Sequence, residues 1–216
     1  MPTYLSFDAV GEAEITDYQQ NRQQLSPLSE KYPLLIYATL HWGNHTSRNE
    51  QSAMSKVQAF LLCKRNVAFA TCTLLDTTHQ RYCTGFSEIH LLSYLGLDKT
   101  LHWLLTNAGP NYTLFFGTHG VDLKDGYHRT PISHAAEQGH VAVVQLLLQQ
   151  GAKVNSKDQW SQTPLSYAVE AGKSEAMCLL LEQRDVDVNT NDEYGWTPLL
   201  YASKAVNSKA VRLLLE

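Results

Sequence analysis

The chain has 216 residues, 44% hydrophobic content and few charges, so it is globular in class and long enough for a continuous core. Its formal net charge of −4 offers no general attraction for nucleic acid or an anionic membrane surface. No apolar run approaches the roughly 18 residues of a spanning helix, and the opening MPTYLSFDAVGEAE lacks the basic-then-apolar order of a secretory signal.

Residues 1–30 are polar and weakly patterned, with a Gln/Asn-rich run from Gln19 to Gln24, and read as a polar lead-in. Pro33 suits a first helical position, and Leu34, Ile36, Tyr37 and Leu40 line one face on the way to Trp42. Ser47 and Glu50 form a capping box for a further helix, whose apolar residues Met54, Val57, Phe60 and Leu61 fall at helical spacing. Residues 65–80 fit helix or strand, and context favours helix, so a helical N-terminal segment is expected over 31–80.

From about Tyr82 the chain becomes periodic. Thr130-Pro131 returns 33 residues later as Thr163-Pro164 and 34 residues after that as Thr197-Pro198. Leu146-Leu147-Leu148 returns in step as Leu179-Leu180-Leu181 and Leu213-Leu214-Leu215. Such fixed-period self-similarity dictates architecture before any other signal. Each Thr is placed to cap a short helix, and the Pro after it gives up an amide that has no helical partner. Ile132, Ala135 and Ala136 make one apolar stripe, Gly139 a tight turn, and Val141, Val144, Leu147 and Leu148 the face of a second helix ended by Gly151. A unit this small buries its apolar side only against neighbours, so a stack of helix pairs is expected.

The wording Thr130-Pro131-Ile132-Ser133-His134-Ala135, Gly139-His140, Leu147-Leu148, Gly151-Ala152, Val154-Asn155 resembles the ankyrin repeat family. The resemblance implies an all-α ankyrin repeat solenoid over 81–216. Its repeats lie near 82–106, 126–158, 159–192 and 193–216, the last truncated. In the degenerate first unit Ser87 takes the cap position, and Gly96 and Trp103-Leu104-Leu105 match the later turn and leucines. Ser87 to Thr130 is 43 residues, and the excess is expected as a long loop over 106–125. A second resemblance comes from Thr3-Tyr4-Leu5-Ser6-Phe7-Asp8, Tyr32-Pro33-Leu34-Leu35 and His41-Trp42-Gly43-x-His45. These residues are similar to the segment between NACHT domain and ankyrin array in large fungal proteins. The NACHT phosphate loop, Gly-x-x-x-x-Gly-Lys-[Ser/Thr], does not occur.

Candidate chemistry is sparse. His41 and His45 have the spacing of two ligands on one helix face, but no third ligand or general-base Glu accompanies them, so no metal is expected. Cys63, Cys72 and Cys83 lack the close pairing of a zinc site and read as buried small hydrophobes. Four cysteines form no disulfide framework, which suits a cytoplasmic setting, or a nuclear one. No nucleophile stands beside a base, so no enzyme and no cofactor are expected. His90 and His140 sit where family histidines are structural. Asn155 and Asn189 match a position that a separate enzyme hydroxylates in some members.

What the resemblance implies is a protein-binding scaffold, either monomeric or part of a longer chain. The family uses a concave face of finger tips and first helices. Its positions here are Gly126, Tyr127, Arg129, Glu137 and Gln138; Gln159, Trp160, Gln162, Glu170 and Ala171; and Glu193, Tyr194, Trp196, Lys204 and Ala205. Tyr127, Trp160, Tyr194 and Trp196, with Arg129 beside them, have the composition of a binding hot spot; the alternative is that finger aromatics pack on the next finger. His128 and Ser161 replace the usual finger glycine, and Val206 replaces the turn glycine of the fourth repeat, predicting an altered turn there. Ser133, Ser166 and Leu200 replace the family His, predicting loss of its hydrogen-bond network. The alternative to a free-standing scaffold is a sensor or regulatory part of a NACHT-type signalling NTPase.

Overall fold

The computed structural model describes residues 85–107 and 120–215. Four helix pairs fill them: α1 (Glu88–Leu95) with α2 (Asp98–Asn107), α3 (Pro131–Gln138) with α4 (Val141–Gln149), α5 (Pro164–Glu170) with α6 (Ser174–Leu181), and α7 (Pro198–Lys204) with α8 (Ser208–Leu215). A 3-10 turn at Gly120–Asp122 precedes the second pair, and no strand occurs among the described residues. First helices stack in the order α1, α3, α5, α7 and second helices in the order α2, α4, α6, α8. The result is a two-layer, all-α solenoid. The expectations for 1–30, for 31–80, for His41 and His45, and for Cys63, Cys72 and Cys83 lie outside the described residues.

The caps form as the sequence dictates. Thr130, Thr163 and Thr197 hold extended backbone (φ −97, −102 and −92) immediately before a proline in the first turn. Thr163 and Thr197 accept from the amides of Ser166 and Leu200, each at 3.3 Å. The hydroxyls of Ser133 and Ser166 lie 3.1 Å from those of Thr130 and Thr163. The predicted loss of bonding is therefore corrected at two of three positions: serine rejoins the cap, while Leu200 is half-exposed and has only its amide to offer. In the first unit, His90 Nδ1 accepts from the Ser87 amide at 3.1 Å and lies 2.8 Å from its hydroxyl.

Each pair turns through the same device. The amides of Leu97, His140, Lys173 and Asn207 donate back to the carbonyls of Leu92, Ala135, Ala168 and Ala202, at 3.0, 2.9, 2.8 and 3.0 Å. The residue before each donor is left-handed: Gly96 (φ 72), Gly139 (φ 81), Gly172 (φ 68) and Val206 (φ 53). Glycine serves a second purpose here, because a Cβ on Gly96 would fall 2.5 Å from the His140 ring, and one on Gly139 would fall 2.8 Å from Lys173 Cδ. The next repeat occupies that space. Val206 corrects the expectation of an altered turn: the backbone keeps its course, and the β-branched side chain bears a conformation that disfavours it.

The core runs between the layers through Ile89, Leu92, Leu101, Ile132, Ala136, Val144, Leu147, Leu165, Met177 and Leu180, all fully buried. The small Ala135, Ala168 and Ala202 let successive first helices approach closely. Packing thins along the stack, since Leu147 and Leu180 are fully buried but α8 buries only Ala210 and leaves Leu215 69% exposed. Only the ends of the expected 106–125 loop are described, since 108–119 lie outside the described residues. Helix α2 extends through Asn107, with Thr106 Oγ1 donating to the His102 carbonyl at 2.8 Å, and 120–125 is a structured approach to the first finger. The extra residue of the third unit is absorbed at 183–187, where Asn155 Nδ2 donates to the Asp185 carbonyl at 2.6 Å and its Oδ1 accepts from the Asp187 amide at 2.9 Å.

Val206 is 87% exposed, so its side chain contributes strain and almost no packing. Val206→Gly should stabilise the chain by about 1 kcal/mol, read as a higher urea midpoint at unchanged slope. A lower midpoint would show that the left-handed turn is wrong.

Candidate functional site

The fingers that connect the repeats are built around one aspartate each. Asp125 Oδ1 accepts from the amides of Tyr127 and Arg129, both at 2.9 Å. Asp158 Oδ1 does the same for Trp160 (2.9 Å) and Gln162 (2.8 Å), and Asp192 Oδ1 for Tyr194 (2.9 Å) and Trp196 (2.8 Å). The backbone closes the same turn, with the Asp125, Asp158 and Asp192 amides donating to the carbonyls of Arg129 (3.0 Å), Gln162 (3.1 Å) and Trp196 (3.0 Å). This geometry forces the fourth residue into the left-handed region: His128 (φ 61), Ser161 (φ 64), Gly195 (φ 78). At His128 and Ser161 that costs on the order of 1 kcal/mol each, which the carboxylate's bonds offset.

The other carboxylate oxygen reaches into the helix layer. Asp125 Oδ2 accepts from His134 Nε2 at 2.9 Å, and Asp158 and Asp192 Oδ2 accept from the hydroxyls of Tyr167 and Tyr201, both at 2.5 Å. Burial raises the Asp125 and Asp158 carboxyls against the opposing pull of these bonds, and it pushes the Tyr167 and Tyr201 hydroxyls well up. Each finger is thereby tied to the first helix of its own repeat. The recurring signature is Asp-x4-Thr-Pro-x2-[His/Tyr], present three times in the sequence and missed as a functional pattern.

On this frame the proposed face separates into two classes. Tyr127 and Arg129 are 5% exposed, which corrects their place as accessible recognition residues. The Tyr127 ring stacks on Trp160 of the next finger at 5.2 Å and 20°. Arg129 donates to Glu137 Oε2 at 2.5 Å, and its guanidinium lies 3.9 Å over the Tyr167 ring. Successive fingers are also stitched by backbone: the Gln159 amide donates to the Tyr127 carbonyl at 3.0 Å, and the Glu193 amide to Trp160 at 2.9 Å.

The remaining candidates are open to solvent. Tyr194 is 72% exposed; Glu170, Glu193 and Lys204 are exposed, as are Ala171 and Ala205; Glu137, Gln138, Gln159, Trp160, Gln162, Trp196 and Gly126 are partly so. Trp196 lies 5.3 Å from Tyr201 and carries the Lys204 ammonium 4.7 Å over its ring. A surface depression lined by Leu148, Ala152, Asn155, Glu182 and Arg184 shares no residue with this face. Among the described residues no three His, Cys, Asp or Glu side chains are grouped to hold a metal, and no helix is long and apolar enough to cross a membrane.

His90 and His140 hold structural positions. His140 Nε2 donates to the Tyr94 carbonyl at 3.0 Å, and His90 Nε2 to the Arg129 carbonyl at 3.2 Å, which leaves His90 Nδ1 as the acceptor for Ser87. His90 and His134 face each other at 5.8 Å between α1 and α3, packed against Phe86, with Asp125 and Arg129 the charged groups nearby. Burial, with His134 beside it, drives the His90 pKa down to about 3; burial, with Arg129, holds His134 well below its usual value. His134 Nδ1 has no partner among the described residues.

Both rings are thus neutral when folded, and the unfolded chain binds protons that the folded chain refuses. Stability is fully present above about pH 6.5 and falls as pH drops through that value, by about 2 kcal/mol for His90 alone at pH 5. Asp125, raised by burial, opposes this only below its folded pKa. His134→Tyr, the residue type at the equivalent positions 167 and 201, should reduce the drop in urea midpoint between pH 7 and pH 5. An unchanged drop would remove His134 from the account.

A family model described as ankyrin repeats, in three copies, matches residues 89–192 and 150–216, together more than half of the chain. No curated protein matches the chain. Stacked helix pairs, turn glycines and aspartate-rooted fingers all agree with that match: this chain belongs to the ankyrin repeat family.

Proposed function

We propose that the chain is a non-catalytic protein-interaction scaffold that recognises its partner through Trp160, Tyr194, Trp196 and the polar side chains around them. Ankyrin repeats are generally protein-interaction modules and typically non-catalytic. The observation that carries the reading is Tyr194: a large aromatic side chain, 72% exposed, set on a finger whose backbone is bonded to a buried carboxylate. Folding gains nothing from exposing it, and rigid aromatics at an accessible surface are what binding hot spots are made of. Gln159, Gln162, Glu137, Glu170, Glu193 and Lys204 supply the polar rim, while Tyr127 and Arg129 act from beneath by holding Trp160 and Glu137 in place. The reducing cytoplasm is the proposed setting, which suits the free thiol of Cys178.

A NACHT-type signalling context is the second reading. It rests on the pattern between Thr3 and His45, which lies outside the described residues. A phosphate-binding loop encoded upstream would favour it.

Tyr194→Ala combined with Trp160→Ala should weaken partner capture from source-cell lysate at least tenfold while leaving helical circular dichroism nearly unchanged. Undiminished capture by the double variant would move recognition off this face.

A further inference from the structure

Three side-chain pairs occupy equivalent places on the face, formed by the residue before each Thr-Pro and the residue seven beyond its Thr. In the first, Arg129 donates to Glu137 at 2.5 Å with its guanidinium 3.9 Å over Tyr167. In the third, the Lys204 ammonium stands 4.7 Å over Trp196. The middle pair is Gln162 and Glu170, whose amide and carboxylate lie 3.4 Å apart. Both outer pairs contain a cation of the chain's own on an aromatic ring, whereas the middle pair contains a carboxylate and a neutral amide. Glu170 is exposed and forms no ion pair among the described residues. One ring beside it repeats the surroundings of Glu137: Tyr201, equivalent to Tyr167, accepts from Gln162 Nε2 at 2.9 Å.

We propose that an arginine of an extended partner segment displaces the weakly held Gln162 amide from Glu170 and pairs with that carboxylate as Arg129 pairs with Glu137. The inference rests on reading this face as a protein-binding surface and names what that surface selects. The guanidinium pairs with the Glu170 carboxylate and lies on the Tyr201 ring, as Arg129 lies on Tyr167, a combination suited to its flat, forked, weakly hydrated cation and poorly suited to an ammonium. The charge at the surface agrees. Arg129 is spent on Glu137 and Lys204 on Trp196, which leaves the exposed carboxylate of Glu170 without a cation of the chain's own among the described residues. An extended segment fits because Trp160, Tyr194 and the pairs recur along the stack once per repeat, presenting a line instead of a single cup.

The test is selection of a phage-displayed random 16-residue peptide library on the immobilised full chain, followed by synthesis of the enriched peptides. The expected result is enrichment of arginine over the library background. Affinity should fall about fivefold to tenfold when that arginine becomes citrulline or when Glu170→Gln is introduced. Gln162→Arg places the chain's own guanidinium beside Glu170 and should weaken binding to a similar extent without loss of helical content, which separates blocked recognition from misfolding. Peptides that bind, lose binding with Tyr194→Ala, and show neither arginine enrichment nor a response to Glu170→Gln would overturn the arginine inference and leave the binding face standing. Peptides indifferent to Tyr194→Ala, or no enriched peptides at all, would overturn both.

Discussion

A buried carboxylate at the root of each finger is the constraint on which the surface depends. Asp125, Asp158 and Asp192 each accept two finger amides on one oxygen and a ring donor from the first helix on the other. A carboxylate is suited to this because it offers several acceptor sites and charge-assisted bonds are about twice as strong as neutral ones. At Asp125 and Asp158 burial raises the carboxyl, and the bonds to the finger amides pull the other way. The outcome is a loop with the stiffness of a helix end, so the aromatics on it are held where packing alone would leave them free to move.

The same carboxylates make the stack more than a sum of helix pairs. The donor in the helix layer is His134 in one repeat and tyrosine in the next two, so the junction nearest α1 contains a titratable ring where later junctions have a hydroxyl. The turn glycines behave similarly. At Gly96 and Gly139 the following repeat fills the space a side chain would need, whereas Val206 meets open solvent and only its backbone is disfavoured. Nearest-neighbour packing thus sets which substitutions each repeat tolerates.

Much of the architecture was legible in the sequence because its signals are periodic and local. The Thr-Pro caps, the turn glycines and the leucine triplets each fix one feature, and the structure places them at helix starts, turns and the buried layer. The accessible face was legible only in part. Position within the repeat marked Tyr127 and Arg129 as facing outward, but whether a finger residue meets solvent depends on the next finger. Trp160 covers Tyr127, and Glu137 with Tyr167 enclose Arg129, which are contacts between residues 8 to 38 apart in the chain. The aspartate signature was present and unread, because its partner nine residues away alternates between His and Tyr and matches no single residue type. Val206 was misjudged for a related reason: a residue that disfavours a conformation does not prevent it when the backbone bonds donated by Ala205, Val206 and Asn207 and a helix on either side demand it.

The most direct test of this account is amide hydrogen exchange on the full chain with Asp158→Ala. Loss of the carboxylate should speed exchange at Trp160 and Gln162 by about tenfold to a hundredfold. The amide of Glu193, bonded to the Trp160 carbonyl, should follow, while α3 and α4 keep their protection. Unchanged protection in the finger, or a uniform loss across all helices, would contradict the claim that a buried aspartate holds each finger in place.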